Sequence, residues 1–351
     1  MRDGHRVLDA DAHVVEPAIW GDALPPGAWP LDIPATTPSV MCGDTAVIAD
    51  QLEHGFDAPS YLRAMDAQGI DAVVLYPSMG LFVPFQPTLD TAASAAACRA
   101  YNEWMASYCA TDPSRLAGVG VVPMVDASTA AAVAHESARL GLVGVLVRPN
   151  QLYGRNLGDA AFDPLYDAVA EEDIVLAVHE GLGVLGPTIG DRFDTFSLRH
   201  ACSHPMEQMA SMASLFLEGA LERHPNMRVA FLESGTGWLP YWLARLDSHR
   251  EWMADTECAG LSLTPSEYFA RQCAICTDPD DPLAAWVAGE VGADHVMWAS
   301  DFPHPDALFP TAVDAFLKES DEHGLSGSDL DAVLWSTPAA FYRLGERFRA
   351  G

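Results

Sequence analysis

The sequence feature that most constrains the fold is a set of three apolar, strand-like runs, each ending in side chains that can bind a metal ion. These runs are Val7–His13, Ile174–His179 and His295–Asp301. Strands that present histidine and aspartate at their carboxyl ends are typical of the catalytic mouth of a parallel β/α barrel. The pattern therefore predicts a metal site where the three strand ends meet.

Eight strand-like runs recur along the 351-residue chain, and most are continuously apolar, as expected of parallel strands buried on both faces. Segments with helical periodicity separate most of them. Eight alternating units predict an α/β fold, a (β/α)8 TIM barrel, with an open doubly wound sheet as the alternative. The predicted strands are Val7–His13, Ile70–Tyr76, Ala117–Pro123, Val143–Arg148, Ile174–His179, Met227–Glu233, Gln272–Thr277 and His295–Asp301.

Two long connections interrupt this alternation, at residues 16–60 after the first strand and 180–205 after the fifth. Long βα loops of a barrel lie at its catalytic mouth. We expect a single barrel domain over residues 1–351, with C-terminal helices at 326–349 packed outside it. The other predicted helices are Thr91–Ala110, Ala127–Leu140, Asp163–Glu172, Glu207–Arg223, Trp238–Trp252 and Asp281–Glu290.

The charge of the chain argues against nucleic acid as a partner. Its net charge is −30 and its isoelectric point is about 4.4, and so acidic a surface repels phosphate backbones. Adaptation to salt would produce the same balance. No run resembles a membrane span, and the first residues lack the apolar core of a signal peptide. We therefore expect a cytoplasmic protein without a membrane partner.

The seven cysteines are scattered and odd in number, which is typical of reduced thiols rather than a disulfide framework. Cys273 and Cys276 form a CxxC motif inside the predicted strand Gln272–Thr277. Residues three apart on a strand point to opposite faces, so this pair is poorly placed to chelate a metal. A core strand is the better interpretation than a redox or zinc site.

The strand-end residues gain meaning from their combination. Asp11 and His13 are two apart on a strand, so both point to one face and can hold one ion. Alone, His179 could be a buried core histidine, and Asp301 could cap the following turn or helix. Their joint arrival at the carboxyl ends of the first, fifth and eighth strands favours the metal site.

Five motifs that span nearly the whole chain give it a family resemblance. They are Leu8–Pro17, Tyr61–Pro77, Val145–Asn150, Pro225–Asp247 and Met297–Pro305. In these motifs the chain resembles the decarboxylase-like branch of the amidohydrolase superfamily, which includes aminocarboxymuconate-semialdehyde decarboxylase and γ-resorcylate decarboxylase. The resemblance implies a metal-binding (β/α)8 barrel that acts on a small molecule. Barrels of this branch often form homodimers, so the resemblance implies that this chain forms a homodimer as well.

The resemblance carries metal ligands onto Asp11, His13, His179 and Asp301, with Asp11 replacing the first histidine of the usual His-x-His. Such a nitrogen and oxygen set suits Zn²⁺ and tolerates Mn²⁺. Binuclear members bridge two ions with a carboxylated lysine on the fourth strand. Lys318 is the only lysine and lies far from that strand, so one divalent ion is expected. No glycine-rich fingerprint follows a strand, so no nucleotide cofactor is expected.

Asp301 and Glu233 are the candidate catalytic residues. Beside a water activated by the ion, Asp301 could take up a proton and return it to a leaving group, or it could protonate carbon as CO2 departs. Decarboxylases of this branch have histidine at the end of the sixth strand, where this chain has Glu233. Glu233 is either a structural carboxylate, bonded to loop amides or Arg148, or a second acid–base group or substrate anchor.

An ionised Glu233 would repel a substrate carboxylate held near it, although burial that kept it protonated would weaken this argument. The sequence therefore favours a metal-dependent hydrolase of a small organic molecule, cyclic or aromatic in character. A non-oxidative, metal-dependent decarboxylase of a small carboxylic acid is the alternative. A binding or regulatory protein without activity is disfavoured, because the ligand set is complete.

Four further residues are candidate substrate contacts, each with a structural alternative. Arg148 either anchors a substrate oxyanion or forms an ion pair with Glu233 or Asp301. His204 is expected to open the helix after the fifth loop, and His304 lies in the turn after Asp301. Trp20 either lines an apolar pocket or simply packs.

Overall fold

The structure, a computed structural model, describes residues 1–20, 24, 46–181, 188–304, 307–345 and 347–348. Within them, eight parallel strands form one sheet whose spatial order follows the chain order. The strands are β1 (Leu8–Val14), β2 (Ala72–Pro77), β3 (Leu116–Val121), β4 (Gly144–Val147), β5 (Val175–Val178), β6 (Arg228–Phe231), β7 (Cys273–Thr277) and β8 (Val296–Trp298).

Hydrogen bonds between β1 and the segment after β8 close this sheet into a barrel. Asp301 N donates to Asp11 O at 3.0 Å, and His13 N donates to Phe302 O at 2.7 Å. Every strand residue except Arg228 is buried, as the continuous apolar runs predict for parallel strands covered on both faces. The predicted TIM barrel is confirmed.

Helices connect the strands, and several begin at aspartate caps. Asp57, Asp90 and Asp126 each accept a backbone N–H from the first turn of the helix that follows. No described helix is both long and apolar enough to cross a membrane. The α-helices are α1 (Ala49–Glu53), α2 (Ala58–Gln68), α3 (Thr91–Cys109), α4 (Ala127–Arg139), α5 (Asp163–Glu171), α6 (Phe196–Leu217), α7 (Ala220–Arg223), α8 (Leu239–Trp252), α9 (Pro265–Gln272), α10 (Ala284–Val291), α11 (Ala312–His323), α12 (Gly327–Asp331) and α13 (Thr337–Phe341).

Shorter helical turns complete the connections. A π-helical segment, Ala332–Ser336, joins α12 to α13 in the C-terminal region. The 3₁₀ turns are Met79–Leu81, Val83–Phe85, Ala160–Phe162, Ile189–Arg192 and Ala293–His295. Of the predicted long connection 16–60, residues 21–23 and 25–45 lie outside the described residues. The described end of that connection is helical, because α1 and the start of α2 precede residue 60.

The connection after β5 is shorter than predicted, because α6 already begins at Phe196 and contains Pro205. A proline inside a helix removes one backbone hydrogen bond, but packing of the buried helix face compensates for that loss. Gln208 on this face donates from Nε2 to Val178 O at 2.7 Å and to Leu232 O at 3.0 Å, which ties α6 to the ends of β5 and β6. His204 therefore lies within the helix, and its expected place at the helix start is wrong.

The CxxC motif belongs to the barrel core. Cys273 and Cys276 lie in β7, and both are buried free thiols. The core-strand interpretation of this motif is confirmed.

Glycine in β3 allows α3 to approach the barrel closely. A Cβ added at Gly118 would lie 2.4 Å from Met105 Cγ and 2.8 Å from Met105 Sδ. We expect Gly118→Ala to destabilise the fold by about 1–3 kcal/mol, because overpacking forces neighbouring side chains from their preferred rotamers. Urea unfolding followed by circular dichroism measures this loss.

Gly289→Ala is the matched control for that substitution. Gly289 is exposed in α10, and an added Cβ meets nothing within 4 Å. This change should be neutral or stabilising by up to about 1 kcal/mol, because alanine is the better helix former. Equal stabilities for the two variants would contradict the tight packing of α3 on β3.

Candidate metal centre at the mouth of the barrel

Side chains from the ends of β1 and β5 meet at the carboxyl end of the barrel. Asp11 Oδ1 lies 3.7 Å from His13 Nε2 and 3.4 Å from His179 Nε2. Asp301, just beyond β8, places Oδ1 3.2 Å from His13 Nε2. The structure thus brings together the four residues predicted as metal ligands. The two-residue spacing on β1 turns Asp11 and His13 to the same side, as expected.

The hydrogen bonding and spacing of these atoms, apart from any family resemblance, also fit a metal ion. Asp11 Oδ1, His13 Nε2 and His179 Nε2 are buried and have no hydrogen-bond partner. Buried polar atoms without partners are costly, and they are rare in folded proteins. Their separations match a shared coordination sphere, because ligands about 2.0–2.2 Å from one tetrahedral ion lie roughly 3.3–3.6 Å from each other.

Hydrogen bonds on the far side of each imidazole orient it toward this centre. His13 Nδ1 lies 2.8 Å from Pro77 O, and His179 Nδ1 lies 2.5 Å from Glu180 O. A carbonyl oxygen can only accept, so Nδ1 carries the proton on both rings. That leaves the lone pair on Nε2 to face the cluster, the arrangement usual for metal-binding histidines.

The electrostatics of the cluster call for a cation. Burial, assisted by neighbouring His304, lowers the pKa of His13, which favours the neutral ring that binds metal. Burial opposes protonation of His179 as well, but the adjacent Asp11 and Asp301 carboxylates raise its pKa overall. In the absence of a cation, the two buried carboxylates thus favour a proton on His179. A bound divalent ion would supply the same compensation.

Asp301 is held by contacts on several sides. His304 Nδ1 lies 2.7 Å from Asp301 Oδ1, and the His304 ring stacks on His13 with centroids 4.1 Å apart. Ser78 Oγ lies 3.3 Å from His304 Nε2. Asp301 also adopts a left-handed backbone, with φ of 57°, which is uncommon outside glycine and marks functional sites.

Buried Asp9, on β1, holds the segment before Asp301 in place. Its Oδ1 accepts from Ser300 N at 3.0 Å and from Asp11 N at 3.3 Å, and its Oδ2 accepts from the Ser300 hydroxyl. Burial raises the pKa of Asp9 to about 7 despite these bonds. The contact fixes the residue before Asp301 against β1.

Glu233, at the end of β6, joins the site rather than bonding to Arg148. Its Oε2 lies 3.5 Å from His179 Nε2, and its Oε1 lies 3.6 Å from His204 Nδ1. Like Asp301, it has a left-handed backbone, with φ of 46°. The structure therefore places the second candidate catalytic residue next to the candidate metal ligands.

Arg148 does not form either of the ion pairs predicted for it. Its side chain is fully buried, and its Nη2 lies 2.9 Å from Glu180 Oε1 rather than near Glu233 or Asp301. It also donates from Nε to Asn150 Oδ1 at 3.0 Å and from Nη1 to Leu81 O at 2.9 Å. These contacts take the place of the predicted ion pairs with Glu233 and Asp301, which are wrong, whereas the substrate-anchor role stays a prediction.

Glu180 is the partner that the sequence reasoning missed. Burial alone would raise its pKa, but Arg148, with hydrogen bonds from His204 and Asn150, holds the pKa at about 2. The positions of the two residues at the ends of neighbouring strands could have revealed this pair. Arg148 directly follows β4, Glu180 lies just beyond β5, and Val147 pairs with Val178 across these strands. Opposite charges at adjacent strand ends are natural partners.

Two other residues lie apart from the cluster. Trp20 is buried, and its ring is parallel to that of Tyr101 with centroids 6.1 Å apart, so it packs rather than lining the described cavity. Glu16 accepts hydrogen bonds from Met79 N at 2.9 Å and Gly80 N at 2.8 Å. It therefore fixes the loop after β2 and does not position a metal ligand.

A cavity of about 250 Å³ opens beside the candidate metal centre. No lysine or arginine is found among the described residues that line it. It is instead rich in carboxylates and histidines. The net charge of the cavity therefore depends on the cations or protons that compensate the carboxylates. Its lining residues with ionisable side chains are His200, His204, Glu233, Asp278, Asp280 and Asp301.

Comparison with known proteins identifies the family. A family model described as "Amidohydrolase" matches residues 8–344. The chain belongs to the amidohydrolase family. The resemblance read from the sequence motifs is therefore confirmed.

The amidohydrolase relatives found by comparison include decarboxylases. The γ-resorcylate decarboxylase of Polaromonas sp. (strain JS666 / ATCC BAA-500) is 23% identical over 294 residues, covering 81% of this chain and 86% of that protein. The crystal structure of 5-carboxyvanillate decarboxylase from Sphingomonas paucimobilis has a TM-score of 0.75 at 21% identity, covering 97% of this chain and 99% of the other.

A third relative was solved with a metal. The dihydroxybenzoic acid decarboxylase of Polaromonas sp. JS666, with bound manganese and the inhibitor 2-nitroresorcinol, has a TM-score of 0.70 at 19% identity. The match covers 99% of this chain and 98% of the other. All three proteins are named as decarboxylases.

The buried ion pair gives a prediction about stability. Arg148→Met should destabilise the protein by about 3–5 kcal/mol, because it leaves the Glu180 carboxylate buried without its cation. The double variant with Glu180→Gln should recover most of that loss, since no buried charge remains. Urea unfolding of the two single variants and the double variant forms the cycle that measures this coupling.

The pH dependence of Arg148→Met follows from the same contact. Without the guanidinium, burial raises the folded-state pKa of Glu180 above its unfolded value. In the unaltered protein the pKa of Glu180 is about 2, so the stability that its ion pair contributes is lost only as pH falls toward 2. The defect should therefore be small only near pH 2. It should keep growing as pH rises from the unfolded pKa, about 4.3, to the raised folded pKa of the variant. A loss in stability that does not change between pH 5 and 8, and is not relieved in the double variant, would contradict the assigned pairing.

Proposed function

We propose that this amidohydrolase is a metal-dependent decarboxylase of a small aromatic carboxylic acid. The observation that carries the proposal is the position of Asp301, which lies 3.2 Å from a candidate ligand atom of His13 and also lines the cavity. A proton donor at this position would lie between the ion and the space for substrate. The decarboxylases found by comparison support the reaction and the aromatic substrate class.

Asp11, His13, His179 and Asp301 would hold the ion. When bound, the ion supplies a Lewis acid that polarises substrate oxygens and offsets the charge of the carboxylates. Carboxylate and imidazole ligands suit both Zn²⁺ and Mn²⁺, and the manganese in one relative supports Mn²⁺ as well as the Zn²⁺ expected from the sequence.

The residues of the chain provide for the proton that decarboxylation requires. Asp301, when protonated, donates from its carboxyl group to the ring carbon that bears the substrate carboxylate. The electron pair of the carbon–carbon bond returns to the ring as CO2 leaves. His304 Nδ1, 2.7 Å from Asp301 Oδ1, orients the carboxyl group and can return the proton to it.

Hydrolysis is the second candidate, and Glu233 is the observation that favours it. A carboxylate stands here where decarboxylases of this branch are expected to have histidine, and it faces the cavity. If nothing compensates its charge, a neutral ester, lactone or amide would bind better than an anion. Glu233 or Asp301 would then serve as the general base toward water.

Release of labelled CO2 separates the two reactions. We expect the metal-loaded protein to release ¹³CO2 from carboxyl-labelled hydroxybenzoic acids, and to exchange ring hydrogen for deuterium in the phenolic product. Asp301→Asn should lower kcat by about 10²–10⁴-fold, because the proton donor is lost. Elemental analysis of the variant shows whether the ion is lost with the proton donor.

Asp294→Asn is the matched control, because the side chain of Asp294 is 82% exposed. Its activity should equal that of the unaltered protein. Turnover of esters, lactones or amides without CO2 release from any aromatic acid would overturn the decarboxylase proposal in favour of hydrolysis.

A further inference from the structure

A second group of metal-binding side chains lies beside the first and has no part in the predicted ligand set. His200, His204 and Glu233 each offer one ligand atom, and these three atoms lie within 4.8 Å of one another. All three residues line the cavity. Two come from α6 and one from the end of β6, so separate elements of the fold converge on this point.

The orientation of His204 is set in the same manner as that of the histidines of the first cluster. Its Nε2 lies 3.4 Å from Glu180 Oε2 and donates a hydrogen bond to that carboxylate. Glu180 is itself held by Arg148 and Asn150, so it stays ionised and can only accept. With the proton on Nε2, the lone pair of Nδ1 points toward Glu233. Histidines that bind a metal through one ring nitrogen commonly donate a hydrogen bond from the other ring nitrogen to a carboxylate.

His200 adds a second imidazole on the same face of α6. It precedes His204 by four residues, which places the two side chains one above the other on the helix. Their ring centroids are 4.7 Å apart. Histidines at positions i and i+4 of a helix form a familiar two-ligand metal site.

Glu233 connects this pair to the first cluster. One of its oxygens, Oε2, lies 3.5 Å from His179 Nε2, and the other, Oε1, lies 3.6 Å from His204 Nδ1. A carboxylate that directs one oxygen to each cluster is suited to bridge two ions, which in two-metal sites lie about 3.5–4 Å apart.

We propose that His200, His204 and Glu233 hold a second divalent cation, with Glu233 bridging it to the ion of the first cluster. The absence of a strand lysine does not limit the chain to one ion, since α6 supplies two imidazoles and β6 the bridge. This proposal rests on the first metal site but not on which reaction it performs.

The second cation would change the charge that a substrate meets. Three carboxylates, those of Asp11, Asp301 and Glu233, face the clusters. Asp278 and Asp280 also line the cavity. One dication therefore leaves the site with a net negative charge, which a second dication would offset further. The second ion would thus reduce the repulsion that Glu233 otherwise creates toward an anionic carboxylate substrate.

Metal content tests the proposal. The protein is first stripped of metal with a chelator, reloaded with excess Mn²⁺ or Zn²⁺ and then freed of unbound metal. Inductively coupled plasma mass spectrometry should then find two equivalents of metal per chain. His200→Ala should retain one, because the first cluster does not use His200. His323→Ala, a histidine that is 44% exposed on α11, is the matched control and should retain two.

Electron paramagnetic resonance of the Mn²⁺-loaded protein gives a second readout. A spin-coupled pair is expected in the unaltered protein, and an isolated ion in His200→Ala. One equivalent in the unaltered protein would overturn the proposal. Two equivalents retained in His200→Ala would overturn it also.

The stoichiometry and the reaction can fail separately. Two bound ions without release of CO2 would support the second site and contradict the decarboxylase proposal. One bound ion with rapid release of CO2 would contradict the second site and leave the proposed reaction intact.

Discussion

Buried carboxylates at the mouth of the barrel must be matched by positive charge, because an uncompensated buried charge costs several kcal/mol. Arg148 supplies that match for Glu180, through a contact of 2.9 Å between fully buried groups. Glu180 in turn orients two histidines. Its backbone oxygen accepts a hydrogen bond from His179 Nδ1, and its carboxylate accepts one from His204 Nε2. Among the described residues Asp11 pairs with His13 and His179 but with no arginine, which is why its cluster is suited to a metal ion.

The two catalytic candidates share an unusual backbone. Glu233 and Asp301 follow β6 and β8, respectively, and both adopt left-handed conformations. A non-glycine residue in this region costs of order 1 kcal/mol or more, and it persists only where surrounding contacts hold it. At these strand ends the bend turns a carboxylate toward the cavity instead of along the barrel wall. The strain therefore contributes to the geometry of the site.

Much of the fold and the first cluster could be predicted from the sequence, because both follow from local pattern. Continuous apolar runs indicated the eight strands, and strand ends carrying Asp11, His13, His179 and Asp301 indicated where ligands converge. A barrel brings the carboxyl ends of its strands together whatever the loops do. The position of these residues thus did not depend on long-range detail.

The rest of the site depends on tertiary contacts that local pattern does not record. Pro205 and nearby glycines favoured a loop where packing against the barrel sustains α6, so the pairing of His200 with His204 was hidden. The partner of Arg148 was also hidden, because composition does not reveal that Glu180, rather than Glu233 or Asp301, is the carboxylate that pairs with it. The sequence motifs did indicate the resemblance to the decarboxylase-like branch, while the single residue Glu233 favoured hydrolysis.

The most direct test of the metal centre is anomalous diffraction from crystals of the protein grown with Mn²⁺, recorded above and below the manganese absorption edge. The account predicts an anomalous peak between Asp11 Oδ1, His13 Nε2 and His179 Nε2, with Asp301 beside it. A map without a peak at that position, although the protein is folded and Mn²⁺ is in excess, would contradict it.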